Sequence, residues 1–239
     1  MQPPRPKDLI PIGSALDDLS AMPSEIKGPF GAALRFVQNG GRPADARPFK
    51  EGLPREVMKL AEDFNTDTYR AAYVADFPEC VYLLHVFKKK STSGIGTPQR
   101  DLNMIEARFK AAMEHYRRHY LNPGRYPMSD HSIGPVIRDD LFERLNVANP
   151  SEYRVRVDLA FLIVQECNRR GLKQKDAAEL LDISQPDYSR LANARIDGFS
   201  QERLEKLLNR LDLHVRIQVG PRPEWTDHAT VAVELVDAF

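Results

Sequence analysis

Short or planar hydrogen-bonding side chains recur at helical spacing in one stretch of the second half of the chain. Gln185, Ser189 and Arg190 face outward from a predicted helix, and Gln174 begins the helix before it. Such groups can contact base edges and phosphates in a DNA major groove. The spacing therefore predicts a DNA-binding surface, whose candidate residues are Gln174, Ser184, Gln185, Pro186, Ser189, Arg190 and Asn193.

The small, apolar and turn residues around that surface predict a helix-turn-helix. Ala178 is small where two helices must cross closely, and Asp182 stands at a turn that needs a left-handed backbone. Ser184 can cap the second helix, and Pro186 is accommodated in the first turn of that helix. The buried contacts are assigned to Ile183, Tyr188 and Leu191. The alternative is an ordinary helical hairpin with a polar surface.

Further amphipathic segments flank the motif and complete a helical domain that is predicted over residues 153–219. Apolar residues at three- and four-residue spacing indicate helices on both sides of the motif. An alternating apolar and polar run then indicates a C-terminal strand. The predicted elements are a helix ending near Gly171, short helices over Gln174–Leu181 and Gln185–Ala194, a fourth helix over Leu204–Leu211, and a strand over Leu213–Val219. Residues 220–239 are predicted to be a tail.

The first half of the chain predicts an α+β module over residues 8–121, with two helices and a small antiparallel sheet. Leu9–Ile12 is a candidate strand, and apolar residues then recur at helical spacing from Leu16 to Val37. Three strand-like runs separated by tight turns predict a meander, which a closing helix follows. The runs are Val57–Phe64, Tyr69–Ala75 and Val81–Lys88, and the closing helix spans Pro98–Tyr120. Two prolines and a glycine within 122–127 predict a linker, so residues 122–152 are assigned to the linker and the start of the second module.

Composition and charge limit the classes of protein to which the chain can belong. The 239 residues are 42% hydrophobic and 28% charged, as in a soluble globular protein. No apolar run approaches the ~18 residues of a membrane span, and the N-terminus lacks a signal-peptide pattern. Cys80 and Cys167 form no CxxC pair, which predicts a reduced cytoplasmic protein without a zinc site. Residues 1–127 carry a charge of +4 and residues 128–239 carry −4, so the two halves can attract each other.

The second module resembles the HigA-type antitoxins, which are repressors of the XRE class. The resemblance runs from Phe142 to Val219, through LKQKDAAELLDISQPDYSRL and FSQERLEKLLNRLDLHVRIQV. It implies a protein that binds operator DNA as a dimer, with two recognition helices ~34 Å apart. The stretch 192–197 departs from the family, whose members usually have a Gly-Lys or Gly-Arg pair after the recognition helix. The corresponding phosphate contact is therefore expected from Arg195.

The first module resembles the HigB/RelE-type toxins, specifically their phage-derived branch. The matching segments are IGSALDDL, FNTDTYRAAYVADF and VYLLHVFKKKSTSGIGTPQRDL. This resemblance implies an mRNA endoribonuclease, or mRNA interferase, that acts typically in the ribosomal A site. The chemistry would be attack by a ribose 2′-OH on the adjacent phosphodiester, with no metal or other cofactor. It needs a proton acceptor, cations that stabilise the charge on phosphorus, and a proton for the leaving 5′ oxygen.

The resemblance places Arg70, Lys88 and Lys89 at the scissile phosphate and His85 as a candidate acid or base. Lys50 and Lys90 would hold the flanking RNA backbone. As alternatives, the lysines can be the solvated end of an edge strand, and His85 can be a packing histidine. Simple alternation favours packing, because it puts His85 on one face with Val81, Leu83 and Phe87. By the same alternation Arg70 shares a face with Ala72 and Val74. Lys59 stands where the family tends to have Glu, and it either extends the basic patch or is an ordinary surface residue.

Together the two modules predict a type II toxin–antitoxin fusion, in which the antitoxin covers the toxin in cis and represses its own operon. The acidic segment 129–153 is the candidate for lying on the toxin. Contact across Arg70 and Lys89 would indicate masking, and contact elsewhere would indicate allostery or tethering. Leu213–Val219 is a candidate dimer or toxin contact. A second hypothesis is a transcriptional regulator whose first module is catalytically inactive. A third is that the two modules were joined artificially.

Overall fold

Five strands of the first half of the chain form one mixed sheet. The computed structural model describes residues 6–49, 51–89, 96–121, 133–216 and 233. The strands are β1 (Asp8–Pro11), β2 (Arg47–Pro48), β3 (Met58–Phe64), β4 (Asp67–Val74) and β5 (Cys80–Lys89), in the order β1-β5-β4-β3-β2. The predicted meander is present as β3, β4 and β5, and β2 extends it antiparallel to β3. The sheet is nevertheless not purely antiparallel, because β1 runs parallel to β5.

A register shift in the sheet changes which side chains share a face. Tyr73 pairs with Leu83 and Ala72 pairs with His85, so Leu84 is an extra residue in β5. Val81 and Leu83 pack on the face covered by α2, whereas Phe87 packs on the opposite face with the residues of α3. These are called the α2 face and the α3 face below. His85 lies on the α3 face, so the alternation argument that grouped it with Val81 and Leu83 was wrong.

Three α-helices of the first domain pack around the sheet. They are α1 (Ala15–Ser20), α2 (Ser24–Gln38) and α3 (Gln99–Tyr116), and a short π-helix (Arg117–Leu121) continues α3. The single helix predicted from Leu16 to Val37 is divided in two, because the backbone at Pro23 is extended and Pro23 occupies the N-cap position of α2. α2 ends at Asn39, and Gly40 follows with a φ of +85°. On α3, Leu102 and Ile105 are buried, but Met113 is 43% exposed.

The second domain is helical over its described part. It comprises α4 (Leu141–Arg144), α5 (Pro150–Arg169), α6 (Gln174–Leu180), α7 (Gln185–Ala192) and α8 (Gln201–Arg210). The last four correspond to the predicted helices, and α4 was not predicted. Residues 213–216 are not in a strand, and the rest of the predicted strand Leu213–Val219 lies outside the described residues. The predicted linker over 122–127 lies outside them too. No helix in the described ranges is long and apolar enough to span a bilayer.

The two domains meet along α2 and β1 and share one hydrophobic core. Ile137 pairs with Leu9 of β1, and Ile133 pairs with Ile12 just after β1, through isolated antiparallel bridges. Phe161 of α5 packs edge-on against Phe36 of α2, with ring centroids 5.5 Å apart. At Gly31 of α2, a Cβ atom would lie 2.9 Å from Leu145 Cδ1, so glycine permits this close approach. The second domain therefore lies on the α2 face of the sheet.

Candidate nucleic-acid sites

Three of the candidate RNA-site residues lie together on the α3 face. Arg70 on β4 is directly opposite Phe87 on β5. His85 and Lys89 lie two residues to either side of Phe87, so they are diagonal neighbours of Arg70, at a spacing of about 7–8 Å. The sheet thus brings to one surface Arg70, His85 and Lys89, three of the residues for which the resemblance implies an RNA site.

Lys88 does not belong to that surface. It is paired with Tyr69, which is buried on the α2 face, so its side chain leaves the opposite side of the sheet. Its ammonium nitrogen lies 2.5 Å from Asp67 Oδ2, and this hydrogen bond raises the pKa of Lys88. The placement of Lys88 at the scissile phosphate is therefore corrected, because adjacent strand residues point to opposite faces. Lys50 and Lys90 lie outside the described residues.

Two loop residues that the sequence analysis missed surround Arg70. Its Nη1 donates to Thr97 Oγ1, and the Thr97 hydroxyl donates to Glu51 Oε1 at 3.0 Å. Glu51 Oε1 is 3.9 Å from Arg70 Nη1. The Arg70 side chain is only 13% exposed, and its buried Nε has no hydrogen-bond partner among the described residues. Thr97 lies in the GIGTP segment that carried the family resemblance, whereas no pattern pointed to Glu51.

His85 is held from both sides of its ring. Nε2 lies 3.1 Å from Asp101 Oδ1, and Nδ1 lies 3.3 Å from Arg108 Nη1. The ring also stacks on Phe87 with centroids 5.1 Å apart. Arg108 in turn donates to the Leu84 carbonyl at 2.9 Å. Because both ring nitrogens have protein partners, this geometry favours a packing and positioning role for His85 over that of a mobile acid or base.

Asp101 and Arg108 were also missed, although helical spacing could have found them. They are seven residues apart on α3, so they lie on the same face of that helix. Their position above β5 depends on how α3 packs, which the sequence pattern does not specify. Among the described residues, no group of three or more His, Cys, Asp or Glu side chains is arranged to hold a metal ion. The α3 face thus combines cations that can hold a phosphate with carboxylates that can accept a proton.

The candidate DNA surface is built around a tight turn between α6 and α7. Asp182 has a φ of +50°, the left-handed conformation that the sequence predicted for the turn. Ser184 Oγ accepts a hydrogen bond from the Asp187 backbone N–H at 3.2 Å, and Pro186 lies in the first turn of α7. Tyr188 is buried, as expected. Gln174, Gln185 and Pro186 are exposed, and Ser189 is half-buried.

Arg190 is partly exposed but anchored to its own domain. Its Nη2 donates to the Asp197 carbonyl, and its guanidinium lies 5.7 Å from the centroid of the Phe199 ring. Nη1 is 3.7 Å from Asp187 Oδ1, and the side chain remains 42% exposed. Arg190 therefore has a defined position at the outer surface of α7.

The last two candidate DNA-binding residues are engaged by the first domain instead. Asn193 is buried, and its Oδ1 accepts from the Asp45 backbone N–H at 2.7 Å. Arg195 forms ion pairs with Asp45 at 2.9 Å and with Glu62 at 3.1 Å. Burial raises the pKa of Glu62, and the positive charge of Arg195 opposes that shift. The expectation that Asn193 and Arg195 face DNA is therefore corrected, because the sequence gave no sign that the first domain docks beside them.

The described part of the acidic segment lies on the first domain, in one of the two arrangements left open above. It contacts β1 and α2, and Asp139 pairs with Arg35 of α2 at 3.1 Å. Arg35 is further held by Asp158 of α5 at 2.8 Å. The charge attraction between the halves is thus present, but at α2. Among residues 133–153, none lies across Arg70 and Lys89.

Comparison with known proteins agrees with the two-part architecture. Residues 141–220 match the family model described as a helix-turn-helix domain, and residues 17–110 match the one described as phage-derived protein Gp49-like. A solved structure provisionally described as an XRE family transcriptional regulator is 37% identical, over 35% of this chain and 93% of that one, with a TM-score of 0.34. A search of curated proteins gave no match. The second domain is thus a helix-turn-helix domain, and the chain joins it to a Gp49-like domain.

Proposed function

We propose that the chain is a type II toxin–antitoxin fusion of the HigB/RelE and HigA types. In this proposal the Gp49-like domain cleaves mRNA, and the helix-turn-helix domain binds operator DNA as a homodimer and represses its own operon. The observation that carries the proposal is the α3 face, where Arg70 lies beside the carboxylate of Glu51 and shares that face with Lys89. Cations and a proton acceptor on one surface are what RNA cleavage through the 2′-OH requires.

Arg70 is the residue best suited to hold the scissile phosphate. Its guanidinium can donate to a phosphate through the Nη groups, because an arginine pairs with phosphate oxygens in a defined planar geometry that a lysine lacks. Lys89 is close to it by register and adds a second positive charge. As the pentavalent phosphorus forms, both cations stabilise the extra negative charge.

Glu51 is the proposed general base. Its carboxylate takes the 2′-OH proton while the 2′ oxygen bonds to phosphorus and the bond from phosphorus to the 5′ oxygen breaks. The leaving oxygen receives a proton from the Lys89 ammonium, and the products are a 2′,3′-cyclic phosphate and a 5′-hydroxyl. His85, fixed between Asp101 and Arg108, keeps Phe87 and the strand beside Arg70 in position.

The DNA-binding half of the proposal depends on α7. Gln185 is exposed near the N-terminal end of this helix, and Arg190 is held in place at its outer surface. We expect Gln185 to contact base edges and Gln174 to contact a phosphate. A dimer would set two such helices ~34 Å apart on the operator.

If the second domain neutralises the first within the same chain, it must do so by a mechanism other than covering the basic surface, which the sequence predicted. The second domain lies on the α2 face, on the other side of the sheet from Arg70. We therefore propose that its bulk keeps the α3 face out of a large RNA-bearing assembly such as the ribosome, while a short free RNA can still approach.

A transcriptional regulator with an inactive first domain is the second candidate. It is favoured by the contacts of Glu51 and Thr97 with Arg70, which leave the guanidinium largely covered. In that case the α3 face would be a structural remnant, and only the DNA-binding half of the proposal would apply.

Cleavage assays on the full chain distinguish the two candidates. We expect the purified protein to cut a short single-stranded RNA slowly, and Arg70→Ala to abolish the cut. An RNA with a 2′-deoxy group at the scissile position should stay intact, and the products should carry 2′,3′-cyclic phosphates. If neither free RNA nor mRNA on translating ribosomes is cut by the folded chain, the second candidate holds. For the DNA half, Gln185→Ala should weaken binding to a duplex selected from random sequences more than binding to unrelated DNA.

A further inference from the structure

A loop of the first domain is bonded to the C-terminal end of α7, the helix that carries Gln185 and Arg190. The Ala44 N–H donates to the carbonyl of Ala192, the last residue of α7, at 2.9 Å. The Asp45 N–H donates to Asn193 Oδ1 at 2.7 Å. Residues 42–47, which lead into β2, are called the docking loop below. This loop therefore lies beside the residues that directly follow the recognition helix.

The C-terminal end of α7 is where a helix-turn-helix meets the edge of the DNA groove. The eight residues of α7 span ~12 Å, which is about the width of the major groove. When the N-terminal end of the helix contacts base edges, the other end therefore lies near the phosphates that border the groove. Arg195, where the sequence predicted a phosphate contact, is paired with Asp45 and Glu62. A phosphate at this end of α7 would thus need another cation.

The docking loop carries two such cations, Arg42 and Arg47, and both are exposed. Arg47 Nη1 donates to the carbonyls of Ala44 at 2.6 Å and Ala46 at 3.0 Å, so the side chain turns back along the loop. Arg42 Nη2 donates to the Ala46 carbonyl at 3.4 Å. These bonds to neutral carbonyls position the two guanidinium groups without neutralising them. Neither group has a carboxylate within salt-bridge distance in the part of the chain that the structure describes.

We propose that Arg42 and Arg47 contact phosphates of the duplex that the helix-turn-helix binds, so that the first domain forms part of the DNA interface. The proposal rests on the DNA-binding half of the proposed function and extends it to a second domain. The partner is double-stranded DNA beside the base pairs that α7 reads. Contacts to phosphates add affinity and salt dependence but carry no sequence preference. A positive charge on an edge strand can also serve only to prevent strand pairing, and the experiment below separates that role from binding.

The test is the salt dependence of duplex binding by the full chain. Fluorescence anisotropy is measured at several salt concentrations with a duplex that the parent chain selects from random sequences, and with an unrelated duplex. We expect Arg42→Ala and Arg47→Ala each to weaken binding about threefold to tenfold and to reduce the salt slope of log affinity by ~0.9, the value for one phosphate contact. The loss should be the same factor on both duplexes, whereas Gln185→Ala should affect mainly the selected one.

Matched variants separate a phosphate contact from a structural role of the loop. Arg42→Lys and Arg47→Lys keep the charge and should keep the salt slope, even where the loop loses a hydrogen bond. Arg100→Ala removes the same charge at an exposed position on α3 and should leave binding nearly unchanged. A loss of affinity with an unchanged slope, or an equal loss in Arg100→Ala, would overturn the inference. If Gln185→Ala weakens binding while both loop variants bind like the parent, only the inference fails. If the parent chain binds no duplex, the DNA-binding half of the proposed function fails with it.

Discussion

At the scale of single residues, Arg70 is one of three side chains in the described part of the chain with a buried polar atom that lacks a hydrogen-bond partner. An N–H group that is buried without a hydrogen-bond partner costs about 1–3 kcal/mol. Arg70 Nε is such a group among the described residues, while Nη1 is already engaged by Thr97. Nε is enclosed, so a bound phosphate would be held by the Nη groups of Arg70 and would not recover this cost.

The two adjacent lysines of β5 give a paired prediction about catalysis. Lys89 lies on the α3 face with Arg70, and Lys88 lies on the other face with Asp67. Lys89→Ala should lower kcat/KM for short RNA about tenfold, which corresponds to ~1.4 kcal/mol. Lys88→Ala changes the net charge equally and should leave kcat/KM within a factor of two. Equal losses in the two variants would mean that only the overall charge matters.

Glu166 gives a prediction about stability and pH. Its carboxylate accepts hydrogen bonds from Arg169 at 2.7 Å and Arg170 at 2.6 Å, and these contacts lower the pKa of Glu166 to about 2. A lowered folded-state pKa stabilises the protein above the ordinary pKa near 4.5, and the contribution disappears as the pH falls towards 2. Urea unfolding should therefore find Glu166→Gln less stable than the parent at pH 7, with the difference shrinking between pH 4.5 and 2. A difference that does not change with pH would point to packing instead of charge.

The sequence identified cations of the α3 face more readily than their partners. Arg70 and Lys89 were found because their residue type and strand position suit a phosphate site. Lys88 was included wrongly, although strand alternation alone separates it from Lys89. Glu51 and Thr97 come from loops, where no periodicity indicates what a side chain will meet. Their positions follow only from the folded sheet.

At the scale of elements, the extra residue in β5 determines the chemistry of the α3 face. With unbroken alternation, His85 would lie on the α2 face with Val81 and Leu83. The register shift at Leu84 turns His85 and Phe87 to the face that carries Arg70. A sequence pattern of apolar residues in β5 does not reveal the shift, since both faces of this strand are buried.

The N-terminus of α7 gives a prediction that separates stability from DNA contact. Ser184 Oγ caps the helix by accepting from the Asp187 N–H, so Ser184→Ala should destabilise the protein by about 1 kcal/mol in urea unfolding. Ser184→Asp keeps a capping oxygen and should restore stability. It also adds a negative charge, so DNA affinity should fall if Ser184 lies near a phosphate. Unchanged DNA affinity in the folded Asp variant would remove Ser184 from the candidate interface.

Helices were predicted better than the sheet for a physical reason. The helices of the second domain have apolar stripes and caps within a few residues, and these signals are local. The direction of β1 is not local, since it depends on the long connection that brings β1 beside β5. The division between α1 and α2 could have been predicted from Pro23, because a proline restricts its own backbone and that of the residue before it.

At the scale of the whole molecule, the docking of the two domains determines which residues remain accessible to DNA. Arg35 of α2 is buried and paired with Asp158 of α5, and the hydrophobic core is continuous between the domains. Removing one partner alone would leave an unpaired buried charge at the contact between the domains, at a cost of about 3–5 kcal/mol. The sequence predicted attraction between the halves but placed it at the wrong surface, because charge totals carry no information about position.

Docking leads to a prediction about the turn that follows the recognition helix. Arg195 is 36% exposed and paired with Asp45 and Glu62, which compete with DNA phosphates for its charge. Asp45→Asn with Glu62→Gln should therefore tighten duplex DNA binding and steepen its salt dependence by ~0.9, the value of one added phosphate contact. The variant keeps two backbone hydrogen bonds of this loop, from the N–H of residue 45 to Asn193 Oδ1 and from the Ala44 N–H to the Ala192 carbonyl. The loop should therefore stay docked.

Two controls decide whether Arg195 carries this effect. Glu56→Gln with Glu106→Gln removes two negative charges at exposed positions outside the Arg195 ion pairs, and it should change the salt slope much less. Arg195→Ala should have little effect in the parent chain but should cancel the gain in the variant without Asp45 and Glu62 carboxylates. Weaker DNA binding in that variant would instead mean that the two carboxylates orient Arg195 towards DNA. The ion pairs with the first domain would then strengthen the complex rather than compete with it.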